Sequence, residues 1–274
     1  MIDTHQHFWR YDSIEYDWID QSMEVLRNDR LPEEVVGFME SAEVRGSIAV
    51  QARRTPSENE WLATLAASNP FILGVVGWVD LCAEDVAEQL DACRGLPKFV
   101  GVREILQAEP PSYMARSDFR NGLALLHGLT YDLLLLPEHL EASCSLVDAF
   151  PNQKFVLDHL AKPDLRRKDI AKWKAGIADL AKRANVSCKL SGLVTETAWK
   201  DWSLADFKPV LDHALETFGA KRLMFGSDWP VCVLSASYSQ VLSIVQTWAS
   251  ELSSSEREDL FENNAVAFYL ADDW

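Results

Sequence analysis

Eight short runs of apolar, largely β-branched residues recur along the chain, each bounded by turn-forming residues. They constrain the fold more than any other feature of the sequence. The runs are Ile2–His7, Ser47–Gln51, Ile72–Val79, Phe99–Arg103, Tyr131–Leu135, Phe155–His159, Val186–Ser191 and Arg222–Asp228. Runs of this kind read as strands buried on both faces, as in a parallel sheet. Longer amphipathic stretches lie between them. Glu33–Glu43, Glu58–Ser68, Ala83–Cys93, Phe119–Leu129, Leu140–Phe150, Lys168–Arg183 and Ala205–Phe218 read as helices, and a last one, Ser255–Leu270, follows the eighth strand. Strand and helix in alternation predict βα units, and eight such units predict an α/β fold, the (β/α)8 TIM barrel. A barrel of this type occupies about 250 residues. The chain has 274, so residues 1–274 read as one barrel domain.

Local signals agree with this division. Pro32 stands just before Glu33, and Ser57 with Glu60 three residues on predicts a capping box at a helix start. Asn69-Pro70 and Gly95–Pro97 mark breaks before strands. The connection between the first two strands is the longest. Its first half, Phe8–Asn28, is rich in Trp, Tyr and Asp, as suits a loop covering one end of a barrel.

Composition excludes several classes of function. A net charge of −16 would repel a polyanion, so nucleic acid is not expected as a partner. Five cysteines, an odd number with no C-x-x-C, read as reduced thiols of a cytosolic protein. The N-terminus lacks the basic and apolar regions of a signal peptide, and no apolar run approaches the roughly 18 residues of a membrane span. A cytoplasmic protein without a membrane partner is expected, and it could assemble as a homo-oligomer.

The positions of polar residues within the strands point to function. Side chains alternate between the two faces of a strand, and in a closed barrel one face lines the interior. In the eighth run Leu223 and Phe225 share one face, while Met224, Gly226 and Asp228 share the other. The apolar pair suits packing under helices, which directs Asp228 inward at the C-terminal mouth. Arg103 aligns with Gly101, and Lys189 aligns with Ser187 and Ser191. His159 aligns with Phe155 and Leu157, which leaves Asp158 on the opposite face, where it is expected to hold backbone. Gln51 ends the second run and Trp78 lies near the end of the third. Barrel enzymes build their sites at this end of the strands. An idle barrel has no use for such groups there, because burying them unpaired costs stability.

His5 and His7 form the sharpest pair. At i and i+2 they share a face, with Cα atoms about 6.6 Å apart, close enough to converge on one ion or to hydrogen-bond a substrate. Asp3 is expected on the same face, one step deeper. His127 and His213 fall in helical stretches and read as packing residues, and His139 reads as a loop residue. Trp9, Trp78 and Trp229 flank the site and could stack on a sugar ring.

Four motifs resemble the amidohydrolase superfamily. They are Asp3-Thr-His-Gln-His-Phe-Trp9, Phe155-Val-Leu-Asp-His-Leu-Ala-Lys-Pro163, Asn185-Val-Ser-Cys-Lys-Leu-Ser-Gly-Leu193 and Phe225-Gly-Ser-Asp-Trp-Pro230. Within the superfamily they resemble the sugar-lactonase branch, the L-fuconolactonase and L-rhamnonolactonase-like enzymes, relatives of 2-pyrone-4,6-dicarboxylate lactonase. Asn264-Ala265 and Phe268-Tyr269 resemble the C-terminal helix of that branch. The resemblance implies a barrel with His5, His7, His159 and Asp228 around the reaction centre, the same four being the candidate metal ligands. The fifth run ends in Leu134-Leu-Leu-Pro137, without the Lys or His ligand of two-metal relatives. One divalent metal, zinc before others, held weakly or not at all, is therefore expected.

The activity implied is the opening of a sugar (aldono) lactone to the sugar acid, in carbohydrate catabolism. Asp228 would act as general base and then acid, with His159 and Arg103 as the other catalytic groups. Arg103, Lys189, a histidine or the metal would stabilise the oxyanion. Gln51, Trp78, Arg103, Lys189, His5 and His7 would contact the substrate. Two other classes stand beside this one: a metal-dependent non-oxidative decarboxylase of the same superfamily, and a non-catalytic barrel that binds a sugar acid.

Overall fold

The computed structural model describes residues 1–167 and 170–270. Eight strands form one sheet: β1 Ile2–Gln6, β2 Gly46–Val50, β3 Ile72–Gly77, β4 Phe99–Glu104, β5 Thr130–Leu133, β6 Phe155–Leu157, β7 Val186–Leu190 and β8 Leu223–Phe225. They are ordered β1 to β8, and every neighbouring pair is parallel. The expected barrel is thus present, with each strand where its apolar run predicted it. The observed strands stop one to three residues before most of the predicted ends. The residues cut off include Asp158, His159 and Asp228, which therefore belong to loops at the mouth.

Residues just beyond the strands draw β8 back to β1. Asp228 N–H donates to His5 O at 2.9 Å and His7 N–H to Trp229 O at 2.7 Å. The Asp3 carboxylate accepts from Ser227 N at 2.8 Å, and Thr4 Oγ1 donates to Phe225 O at 2.7 Å. Asp3 is therefore a clamp between two strands, not the deeper member of the histidine face. The cause is a register shift in β1 between Asp3 and Gln6, which breaks the alternation the sequence reading assumed.

The helices are α1 Pro32–Ser41, α2 Pro56–Ser68, α3 Val86–Arg94, α4 Ser117–Leu123, α5 Leu140–Ala149, α6 Ala171–Leu180, α7 Leu204–Phe218, α8 Tyr238–Ala249 and α9 Ser254–Glu258. The α6 stretch was expected from Lys168, and residues 168 and 169 lie outside the described residues. α8 was not expected, although Ser237 and Gln240 form the capping box that announces it, with Ser237 N donating to Gln240 Oε1 at 2.9 Å. The box expected at Ser57 and Glu60 does not form. Thr55 precedes α2 and Pro56 opens it. After α9 the chain stays helical in wider π-type turns, Asp259–Asn263 and Val266–Leu270.

Two apolar clusters divide the barrel wall. Val75, Val102, Tyr131, Leu133, Phe155, Leu157, Val186, Cys188, Leu190, Leu223 and Phe225 pack outward under the helices. Ile2, Ile48, Val50, Val76, Val156 and Met224 line the interior, where Ala265, Phe268, Tyr269 and Leu270 of the C-terminal helix pack against them. The N-terminal half of the barrel is thereby filled largely with apolar side chains. Residues 8–31 fold over the mouth, where Trp9, Tyr16, Ile19 and Leu26 pack with Ala52 and Leu234. This is the cover anticipated for that loop. The five cysteines are free. Among the described residues no helix is long and apolar enough to cross a membrane.

Candidate active site

His5 and His7 project from the first strand and its continuation with their Nε2 atoms 3.2 Å apart. His7 Nδ1 lies 2.8 Å from the Val50 carbonyl, which can only accept, so Nδ1 donates to it and Nε2 is the nitrogen turned to the site. Asp228 reaches in from beyond β8, with Oδ1 3.4 Å from His7 Nε2 and 3.9 Å from His5 Nε2. Its backbone is left-handed, with φ +58°, a conformation costing about 1–3 kcal/mol for a non-glycine residue. Gly226 makes room behind it, since a Cβ there would stand 2.9 Å from His5 Cβ.

His159 completes the group by a route that alternation did not reveal. β6 ends at Leu157, and Val156 lines the interior while Leu157 packs outward. Alternation therefore turns Asp158 inward and would turn His159 outward. The backbone from His159 to Lys162 is instead left-handed, with φ between +50° and +54°, and it swings His159 back over the mouth. There His159 Nε2 lies 3.9 Å from Asp228 Oδ1, and Nδ1 is 2.8 Å from Ser191 Oγ. Gly192 permits this, because a Cβ would stand 2.6 Å from His159 Nδ1.

Asp158 is the main correction. Far from serving only backbone, it stands fully buried beneath His5. Its Oδ1 is 3.4 Å from His5 Nδ1 and 3.0 Å from Lys189 Nζ, and its Oδ2 accepts from Arg103 Nη1 at 3.0 Å. Asp132 of β5, not singled out from sequence, accepts from Lys189 Nζ at 2.5 Å and from Tyr269 OH at 2.9 Å. The clue to both was present: each is an acidic residue at an inward position within an apolar run.

Arg103, Lys189 and Gln51 are in the interior as expected, but their donors are largely committed. Lys189 is fully buried, and its ammonium faces Asp132, Asp158 and, at 3.2 Å, His5 Nδ1. Arg103 Nη2 donates to the Gln51 carbonyl, and Gln51 Nε2 donates to Arg103 O at 3.1 Å. Gln51 is fully buried, so its amide braces Arg103. Arg103 Nη1 also lies 3.2 Å from His5 Nε2, at the edge of the histidine group, and its buried Nε has no partner among the described residues. Trp9 and Trp229 are buried packing residues, whereas Trp78 keeps part of its ring open at the mouth. His139 is buried between Glu109 O and Leu136 N, and His213 bonds Lys174 O, as suits structural residues. His127 lies beyond α4 and is exposed.

Electrostatics separates the titratable groups. Burial lowers the His5 and His159 imidazoles, the latter to about 4 despite the pull of Asp228, so both are neutral at pH 7. Burial opposes ionisation of Asp228, but the three imidazoles around it outweigh that and hold its carboxyl below the usual carboxylate range. Asp158 is likewise held low, since Lys189, His5 and Arg103 overcome its burial. Among the described residues no Lys or Arg pairs with Asp228, whose ionic neighbours are all histidines.

The donor atoms suit one cation. Two nitrogens 3.2 Å apart, with a carboxylate oxygen 3.4 Å from one of them, match the roughly 3.3 Å between ligands about 2.0–2.1 Å from a tetrahedral ion. No fourth protein ligand comes from the segment after β5, where Leu134, Leu135 and Leu136 stand. A second constellation, His5, Asp158 and His159, is already bound up with Arg103 and Lys189 through Asp158.

This arrangement, imidazoles on the first strand facing a carboxylate beyond the last, places the protein in a class. The chain belongs to the amidohydrolase family, which it matches over residues 2–270. It is 42% identical to an L-fucono-1,5-lactonase of Burkholderia multivorans over 98% of this chain and 95% of that protein. It is 31% identical to an L-fucono-1,5-lactonase of Burkholderia ambifaria over 99% and 96%. A crystal structure of an amidohydrolase from Burkholderia multivorans with bound zinc superposes with a TM-score of 0.94, at 42% identity, covering 98% of both chains.

Proposed function

We propose that the protein is a hydrolase that opens a sugar (aldono) lactone to the sugar acid, with L-fucono-1,5-lactone as the first substrate to test. The observation that carries this reading is Asp228: an ionised, nearly buried carboxylate at the mouth with only imidazoles around it. Identity to the two L-fucono-1,5-lactonases along the whole chain supports the choice of substrate.

In this scheme Asp228 accepts a proton from water as the water oxygen bonds to the lactone carbonyl carbon. The carbonyl oxygen gains negative charge beside Arg103, whose Nη1 lies 3.2 Å from His5 Nε2. The bond from that carbon to the ring oxygen then breaks, and Asp228 returns its proton to the ring oxygen. A carboxyl held so low is a ready acid for this last step and a weak base for the first. His159, neutral and anchored by Ser191, orients Asp228 and the water. Gln51 and Lys189 act by holding Arg103 and His5, not by touching substrate.

His5, His7 and Asp228 would hold one divalent cation, zinc in first place, with His159 at its edge. When bound, such an ion supplies Lewis acidity to the carbonyl and acidifies water, which offsets the weakness of the base.

A pH-indicator assay on aldono-1,4- and 1,5-lactones, with the Asp228→Asn variant as the baseline for spontaneous opening, tests both parts. Acid release from L-fucono-1,5-lactone well above that baseline is expected, lost on chelation and restored by zinc. Release no faster than the variant overturns the lactonase reading. Release that survives chelation overturns the zinc assignment and leaves the lactonase reading intact.

A further inference from the structure

One aromatic ring at the mouth is held from several sides and yet left open. Trp78 follows β3 two residues past Val76, which lines the interior, and so shares its inward face. Its backbone N–H donates to Asn59 Oδ1 at 2.8 Å, and its carbonyl accepts from Asn59 Nδ2 at 2.7 Å. The indole Nε1 donates to Glu104 Oε2 at 2.9 Å. Glu104, the last residue of β4, accepts from Arg54 Nε at 2.7 Å and from Ile105 N at 2.7 Å. Arg54 is fixed in turn by Glu109, 2.9 Å from Nη1, and by the Ile105 carbonyl, 2.8 Å from Nη2.

Trp9 is hydrogen-bonded as fully, its indole Nε1 donating to Asn28 O at 2.9 Å, but it and Trp229 are only 0% and 2% exposed. Trp78 is only half-buried, so the hydrogen bonds fix a side chain that still reaches the surface. The indole N–H, its polar handle, is turned to Glu104 and away from any ligand. What remains is the apolar part of the ring, on the face that Val76 lines. A sugar ring directs its hydroxyls outward at the edge and presents C–H groups on its faces, and an aromatic plane complements such a face. A platform already fixed loses little freedom when a ligand arrives.

We propose that Trp78 is the platform for the C–H face of the sugar ring, and that Asn59, Glu104 and Arg54 are positioning residues that set its tilt. The proposal rests on the lactonase reading for its substrate class. It makes Trp78 a binding residue and Glu104 a group that acts through it.

The test is steady-state kinetics on L-fucono-1,5-lactone with Trp78→Ala, Trp78→Phe, Glu104→Ala and Glu104→Gln. Trp78→Ala should raise KM about tenfold with kcat within about threefold, the signature of lost uniform binding. Trp78→Phe should fall between it and wild type. Glu104→Ala should raise KM severalfold, and Glu104→Gln, which keeps an acceptor for the indole, should restore most of it. An unchanged KM in both Trp78 variants overturns the platform. A Glu104→Gln variant as impaired as Glu104→Ala overturns the positioning role. If the wild-type protein opens no aldono lactone, the lactonase reading falls separately, and the platform is read from tryptophan fluorescence titrated with L-fuconate. A change in wild type that vanishes in Trp78→Phe then supports it. No change, or one kept by the variant, overturns it.

Discussion

Two clusters of buried charge share the barrel interior, and they are balanced differently. In the deeper one Lys189 and Arg103 face Asp132 and Asp158, two cations against two anions. Burial raises the Asp132 carboxyl, and the Lys189 ammonium at 2.5 Å favours its ionised form. At the mouth Asp228 meets His5 and His159, both neutral, and Nε2 of His7. The first cluster is closed: its charges cancel and most of its donors are used. The second holds one carboxylate among imidazoles, with no Lys or Arg paired to it among the described residues. A self-neutralised buried cluster acts as scaffold, whereas an uncompensated one invites a proton, a cation or a polar substrate.

That contrast can be broken experimentally. The largest expected effect is on turnover. Asp228→Asn should lower kcat/KM on L-fucono-1,5-lactone by about 10³-fold while Tm stays within a few degrees. Near-normal turnover would make the mouth cluster as inert as the inner one. The converse holds for Lys189→Met, which leaves Asp132 without a cation and Asp158 with Arg103 alone. Urea unfolding should show a loss of about 3–5 kcal/mol, partly recovered on adding Asp132→Asn. Full stability of the single variant would refute the closed character of the inner cluster.

A smaller effect sharpens the comparison. Calorimetric titration with zinc should show one site, weakened at least tenfold by His7→Ala and little changed by Asp132→Asn. Equal weakening by both would mean that the inner cluster also binds the ion.

A last effect lies at the rim. Glu58, fully buried, accepts from Arg53 N at 2.8 Å and Ala52 N at 3.2 Å, fixing the loop after β2. Burial outweighs these bonds and raises its carboxyl from 4.5 to about 7. A carboxyl raised on folding favours the folded state while protonated. Its contribution is full below pH 4.5 and lost as pH rises through 7, by at most about 3 kcal/mol. Thermal unfolding at pH 5 and pH 8 should therefore show a fall in Tm that Glu58→Gln reduces. An identical fall in both proteins would remove Glu58 as its source.

The site was legible in proportion to how far strand alternation holds. On β7 and β8 it holds, and Lys189, Met224, Leu223 and Phe225 face as expected. On β6 it was assigned the wrong way round. His159 reached the site only because a left-handed turn reversed it, and Asp158 was misassigned by the same step. On β1 the register shift took Asp3 out of the histidine face. Glu58 passed for an ordinary helix residue because its partners, Ala52 and Arg53, lie in the preceding loop and not in the helix.

The sequence by itself determined the barrel, because eight buried strands separated by amphipathic helices leave a chain of this length few other ways to cover both faces of its sheet. It also determined that His5, His7 and Asp228 would meet, since the first and last strands must be neighbours once the sheet closes. Only the tertiary structure decided which charges cancel. Whether Lys189 faces a substrate or a carboxylate depends on Asp132 and Asp158, residues distant in sequence, and on distances of about 3 Å that no pattern along one strand encodes. Coulomb energies at that range in a buried site outweigh local preference, so the division between scaffold and open site is a property of the folded interior.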